Sequence, residues 1–159
     1  MLYKNILVPF DGSEPARGAL AVAKKLIADD PDSVLCILSV IPVNAIAAEL
    51  EYPSNAVAGT PLMFPDMDSY ERVISSARKS AEDELAHGLE GELDDVECKV
   101  VTDVYVSSKV AEGIVEYAEE HGSEIIVMGR RGLGALRGML GSVSYAVLHQ
   151  ADIPVLTVK

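Results

Sequence analysis

Ile125-Ile126-Val127-Met128-Gly129-Arg130-Arg131-Gly132-Leu133-Gly134 is an apolar run that breaks into a glycine-rich loop. The loop continues to Gly141-Ser142-Val143-Ser144 and then Tyr145-Ala146-Val147-Leu148. The pattern reads as strand, loop and helix, with Ser142 placed to cap the helix. Glycines let the backbone turn sharply and approach a ligand, and a helix N-terminus presents unpaired N–H groups to an anion. Charge agrees. The chain has net charge −12, yet Ile125 to Ala151 contains no Asp or Glu and holds Arg130, Arg131 and Arg137, three of the six arginines.

Outward from this loop, strands alternate with helices. Ile6-Leu7-Val8 is a buried strand ended by Pro9 and the turn-forming Asp11-Gly12. Ser13 is a helix cap, Pro15 suits the first turn, and Ala16, Ala19, Leu20, Ala23, Leu26 and Ile27 recur at helical spacing. Val34 to Ile41 is a nearly continuous apolar run, as in a parallel strand covered on both faces. Residues 42–66 form a long loop with four of the eight prolines and a short turn at Asn44 to Glu51. Asp68-x-x-Glu71 reads as a capping box opening a helix with Tyr70, Val73, Ile74, Ala77, Ala81 and Leu85 on one face. Val96 to Thr102 is a third strand, Ser107 or Ser108 starts the next helix, and Gly122 ends it in a left-handed conformation. Pro154 precedes a last strand, Val155-Leu156-Thr157-Val158. The alternation predicts an open parallel α/β sheet with helices on both faces. Neither a repeat nor a domain boundary interrupts it.

The 159 residues suit one domain, and 49% apolar with 24% charged residues is ordinary globular composition. No apolar run approaches the roughly 20 residues of a membrane helix, and the N-terminus lacks a signal-peptide pattern. A cytoplasmic protein is expected. Cys36 and Cys98, in strand-like surroundings, read as reduced buried thiols. His87, His121 and His149 stand near helix ends, where they meet carbonyls or solvent rather than a metal. The acidic balance disfavours nucleic acid.

Two phosphate motifs are absent. A Walker A loop ends in Gly-Lys-[Ser/Thr], and no Lys lies between Lys109 and Lys159. A dinucleotide fingerprint places G-x-G-x-x-G in the first strand-to-helix turn, which here is Val8-Pro9-Phe10-Asp11-Gly12-Ser13. The glycines of the later loop have a plainer reading as tight turns and close packing. Asp11 likewise has two readings. It supports its own turn, or it faces a ligand at the carboxyl edge of the sheet. If the first strand lies beside the Ile125 strand, Asp11 and Gly129 open into one crevice. An acceptor-only carboxylate there suits a ribose hydroxyl or an adenine amino group.

Taken together, these residues resemble the universal stress protein family across essentially the whole chain. The resemblance rests on Lys4-Asn5-Ile6-Leu7-Val8-Pro9-Phe10-Asp11-Gly12-Ser13, Leu38-Ser39-Val40, the Ile125-to-Gly129 segment, the loop into Gly141-Ser142-Val143-Ser144, and Pro154 to Val158. It implies one domain over residues 1–159 and a five-stranded parallel sheet of order 3-2-1-4-5, similar to the adenine nucleotide alpha hydrolase fold. One branch of the family binds ATP or related nucleotides through G-x2-G-x9-G-[Ser/Thr]. This chain resembles that branch with one residue fewer, eight between Gly132 and Gly141. A frequent Gly-x-Pro before the third helix is replaced by Ser108-Lys109-Val110.

By that resemblance, Pro9 and Asp11 border the nucleoside, Val40 contacts adenine, and Met128 and Gly129 line the pocket. Arg131, Gly132, Gly141, Ser142, Val143 and Ser144 surround the phosphates. The expected ligand is ATP or AMP, with Mg2+ an open question and no side-chain metal ligands assigned. The resemblance also implies a homodimer through Val155 to Val158, an apolar edge strand with no internal charge or proline. The leading expectation is a nucleotide-binding stress-response module that is not an enzyme. A nucleotide-hydrolysing or transferring α/β enzyme and a ligand-free interaction protein are the alternatives. Phosphoryl transfer asks for a positioned acid–base group and a metal, and the loop offers neither.

Overall fold

The computed structural model describes residues 3–27, 30, 32–49, 67–133 and 140–159. In chain order these form β1 (Asn5–Pro9), α1 (Glu14–Leu26), β2 (Val34–Pro42), α2 (Val43–Glu49), α3 (Met67–Gly88), β3 (Lys99–Ser107), α4 (Val110–Glu120), β4 (Ile125–Gly129), α5 (Ser142–Gln150) and β5 (Val155–Val158). The five strands make one sheet of order β3-β2-β1-β4-β5, and every pairing is parallel. That is the expected topology.

The unbroken apolar runs follow from two-sided burial. Successive strand residues point to opposite faces, and both faces are covered. Ile6, Val8, Leu35, Ile37, Ile125 and Val127 face α1 and the end of α3, around Leu20 and Leu85. Leu7, Cys36, Leu38, Ile126 and Met128 face α4 and α5, around Ile114, Tyr117 and Val147. Burial of each large aliphatic side chain contributes about 1.5–3 kcal/mol.

Local signals set the helix ends. Ser13 Oγ accepts the Ala16 N–H at 3.3 Å, and Pro15 lies in the first turn of α1. After α4, Gly122 takes φ 62°, and the Ser123 N–H bonds back to the Ala118 carbonyl at 2.8 Å, closing the helix end. Nδ1 of His121 and of His149 each lies at a carbonyl one turn back, while His87 meets the Glu90 carboxylate. Cys36 and Cys98 are free thiols, Cys36 buried and Cys98 half-buried. Burial pushes the Cys36 thiol pKa up.

Several expected boundaries move. The third strand is Lys99–Ser107, not Val96 to Thr102, because β2 supplies nine partners, from Val34↔Lys99 to Pro42↔Ser107. Asp103, which interrupts the apolar pattern, sits inside it. Asp68 is not a cap but lies within the first turn of α3, where an acid suits the helix dipole. The expected face of α3 is its less exposed one, with Leu85 fully buried. Lys109 rather than Ser107 or Ser108 is the N-cap of α4, without a side-chain cap bond, and the Ser108 hydroxyl donates to Glu112 at 3.0 Å. The turn expected at Asn44 to Glu51 is α2, and the rest of the 42–66 loop lies outside the described residues.

Asp103 closes the β3 edge. Its Oδ1 accepts the outward Val104 N–H at 2.7 Å and the Arg78 guanidinium of α3 at 3.0 Å. Its Oδ2 accepts the Tyr117 hydroxyl of α4 at 3.1 Å. One carboxylate thus joins the layers on both faces and satisfies an edge donor. Burial, chiefly, pushes the Tyr117 phenol pKa well above its ordinary value, so it stays a donor. Asp103→Ala is expected to cost about 1–3 kcal/mol, because Tyr117 loses its acceptor. Arg78→Ala should cost under about 1 kcal/mol, its side chain being 48% exposed. Equal losses in urea titration would contradict this division.

Candidate functional site

Strand order reverses between β1 and β4, whose chains leave the sheet toward opposite sides. A crevice at the carboxyl ends of the strands is the usual ligand site of such sheets. Here a cleft of about 880 Å³ opens at that point, a volume in the range of small-molecule sites. Pro9, Asp11, Val40, Met128, Gly129, Arg131, Gly132, Gly141, Ser142, Val143 and Ser144, the eleven residues singled out from the sequence, all line it.

The β1 end presents Asp11 beside Gly12, which adopts φ 75°, a conformation costly for other residues. Asp11 Oδ1 accepts the Ser13 N–H at 3.0 Å, so it does support its own turn. Its other oxygen faces the glycine loop, since a Cβ on Gly132 would stand 2.4 Å from Asp11 Oδ2. One oxygen of Asp11 thus supports the turn, while the residue also lines the cleft. At the β4 end, a Cβ on Gly129 would stand 2.9 Å from the Pro15 carbonyl carbon and from Pro15 Cβ. Glycine here lets β4 run against the first turn of α1.

The loop is pinned at its base. The Arg130 N–H donates to the Val158 carbonyl at 2.6 Å, and the Arg130 carbonyl accepts the Gly141 N–H at 2.9 Å. Arg131, Gly132 and Leu133 on the way out, and Leu140 and Gly141 on the return, all line the cleft. Gly134, Arg137 and Gly138 lie outside the described residues.

The expected Ser142 cap is corrected. Gly141 is the N-cap of α5, no side chain bonds to the cap, and Ser142 is the first helical residue. Gly141, held by the Arg130 carbonyl, stands at the turn into the helix. The Ser144 hydroxyl is buried and donates to the Gly129 carbonyl at 2.9 Å, which fixes α5 to the end of β4. Ser142, Val143 and Ser144 thus enter the helix with the N–H groups that every α-helix leaves without an internal partner, at the wall of the cleft.

Much of the remaining lining is apolar. Leu38 and Val40 from β2, Val110 and Ile114 from α4, and Met128 from β4 form a slot, with Tyr145 at 55% exposure on α5 beside it. Val110, Ile114 and Tyr145 were not singled out as site residues. The first two read as the core stripe of α4, and Tyr145 as the start of an apolar helix. Among the described lining residues Asp11 is the one acid and Arg131 the one base. No three His, Cys, Asp or Glu gather as a metal site among the described residues, and no described helix is long and apolar enough to cross a membrane.

The universal stress protein family model matches residues 2–159. Universal stress protein MJ0577 of Methanocaldococcus jannaschii is 31% identical over 160 residues, covering 100% of this chain and 96% of that protein. Its solved structure superposes with a TM-score of 0.73 at 29% identity, over 100% of this chain and 97% of that one. YxiE of Bacillus subtilis is 27% identical, over 99% of this chain and all of that protein. The Archaeoglobus fulgidus universal stress protein solved in complex with dAMP shares the fold, with a TM-score of 0.54 at 21% identity over all of both chains. A universal stress protein solved in complex with cAMP has a TM-score of 0.56 at 21% identity, over 99% of this chain and 98% of that one. With its sheet order, its switch-point cleft and a family match along nearly its whole length, this chain belongs to the universal stress protein family.

Proposed function

We propose that the cleft binds an adenine nucleotide, ATP or AMP, and that the protein is a cytoplasmic stress-response module that reports nucleotide occupancy rather than consuming it. One observation carries the reading: the uncapped N-terminus of α5 and Arg131 share one cleft with the apolar side chains Leu38, Val40, Val110, Ile114 and Met128. A nucleotide has that division. Its phosphates suit helix amides and a guanidinium, its base suits the aliphatic wall, and Asp11 suits a ribose hydroxyl or the adenine amino group. The dAMP and cAMP complexes of two proteins of this fold support an adenine nucleotide over other anions.

The described lining suits binding without turnover. Phosphoryl transfer needs a group to position the nucleophile and a means of neutralising developing charge. Asp11 is the one carboxylate among the described lining residues, and one of its oxygens is already committed to the Ser13 N–H. No three candidate side-chain ligands gather among the described residues, so any Mg2+ would arrive with the phosphates.

The same reading includes a homodimer through β5. Among the described residues that strand pairs with β4 on one side only, Leu156 is 37% exposed, and the other edge carries nothing like the Asp103 clamp on β3. A two-fold axis beside β5 would pair it with its own copy.

Mass spectrometry of freshly purified, denatured protein tests the main proposal: co-purified ATP or AMP supports it, and an empty protein with no thermal shift in millimolar ATP opposes it. Gly132→Val should abolish ATP binding in calorimetric titration with little loss of stability, because the new side chain displaces the Asp11 carboxylate. Unchanged affinity would remove Gly132 from the site. Arg131→Ala should weaken ATP about tenfold or more and adenosine little, as expected for a charge-assisted contact. In the wild type, ATP affinity should fall with salt more steeply than adenosine affinity, and equal slopes would contradict a phosphate end at α5. Leu156→Lys or Thr157→Pro should shift the dimer toward monomer in sedimentation, and indifference to both would place any interface elsewhere.

A further inference from the structure

Gly113 lies in the first turn of α4, buried and in helical conformation. It is not among the described glycines with positive φ, so the backbone does not require glycine there. Apart from proline, glycine is the poorest residue for a helix interior. Its neighbours supply the reason. A Cβ on Gly113 would stand 2.7 Å from Ser107 Cβ and 2.9 Å from Val40 Cγ1, well inside the roughly 3.5–4.0 Å of an ordinary carbon contact. Val40 can relieve its contact by rotating. Ser107 cannot, because the atom in the way is a Cβ on a strand residue paired with Pro42. Any side chain at 113 therefore drives α4 away from β3 and β2.

Val110 and Ile114, on either side of Gly113, form the α4 wall of the cleft, and Val40 stands on the opposing strand. We infer that Gly113 is a positioning residue for base recognition: its missing Cβ sets the width of the slot between α4 and β2 in which a flat nucleobase is gripped on both faces. This rests on the reading of the cleft as a nucleotide site. The magnitude is adequate. Restoring an ordinary contact with Ser107 moves α4 back by about 1 Å, and a gap of 0.5–1 Å forfeits about a quarter to a half of each dispersion contact.

The test compares wild type, Gly113→Ala and Gly113→Ala/Ser107→Gly by calorimetric titration with adenosine and with ATP. Gly113→Ala should weaken both ligands by the same factor, about tenfold, a cost typical of overpacking. Removing the Ser107 Cβ should restore both to within about threefold of wild type, and should recover folding if the single variant is unstable. Equal affinity of wild type and Gly113→Ala, a loss confined to ATP, or no recovery in the double variant would each overturn the inference. A crystal structure of unliganded Gly113→Ala keeps it separate from the functional reading. Val110 and Ile114 should stand farther from Val40 whichever ligand the protein takes, and an unmoved α4 overturns the inference. Wild-type protein that binds neither adenosine nor ATP instead defeats the functional reading alone.

Discussion

The Arg130 peptide ties the site to the sheet. Its N–H reaches the last residue of β5 and its carbonyl holds Gly141, the N-cap of α5. The glycine loop therefore leaves and re-enters the fold at one point. The Ser144 hydroxyl on the Gly129 carbonyl adds a second tie, one turn into α5. Two short-range constraints thus fix a helix whose first amides have no protein partner within the helix. Ser142, Val143 and Ser144 line the cleft because these ties hold the start of α5 at the ends of β4 and β5.

The same economy explains the two glycine contacts nearest the loop. Gly129 lets β4 end against Pro15, which brings the turns after β1 and β4 together. Gly132 lets the Asp11 carboxylate lie against the loop backbone. Both give up side-chain packing for proximity. The sheet edges differ in a comparable way: β3 spends one carboxylate on satisfying its outward N–H and anchoring α3 and α4, whereas β5 has no such device among the described residues.

The parallel α/β class and the glycine loop were legible because they rest on patterns with physical causes: continuous apolar strands, helical stripes, and an acid-free loop in an acidic chain; the strand order and most of the cleft lining were implied by the family resemblance. What was illegible depended on partners far away in sequence. Asp103 looked like the end of a strand until Tyr117 and Arg78 supplied its hydrogen bonds. Ser142 looked like a cap because local preference favours serine there, yet the Arg130 carbonyl selects Gly141. Val110 and Ile114 read as core because periodicity registers burial without distinguishing a packed wall from the wall of a cleft. Gly113 gave no signal, since its role exists only against Ser107 and Val40.

The central claim is that the first amides of α5 hold phosphate. Amide nuclear magnetic resonance of the labelled protein, titrated in parallel with ATP and adenosine, addresses it directly. The account predicts that Ser142, Val143 and Ser144 N–H signals move strongly with ATP and little with adenosine, while Val40, Val110 and Ile114 respond to both. Signals at 142–144 that stay fixed as ATP saturates the protein would contradict it.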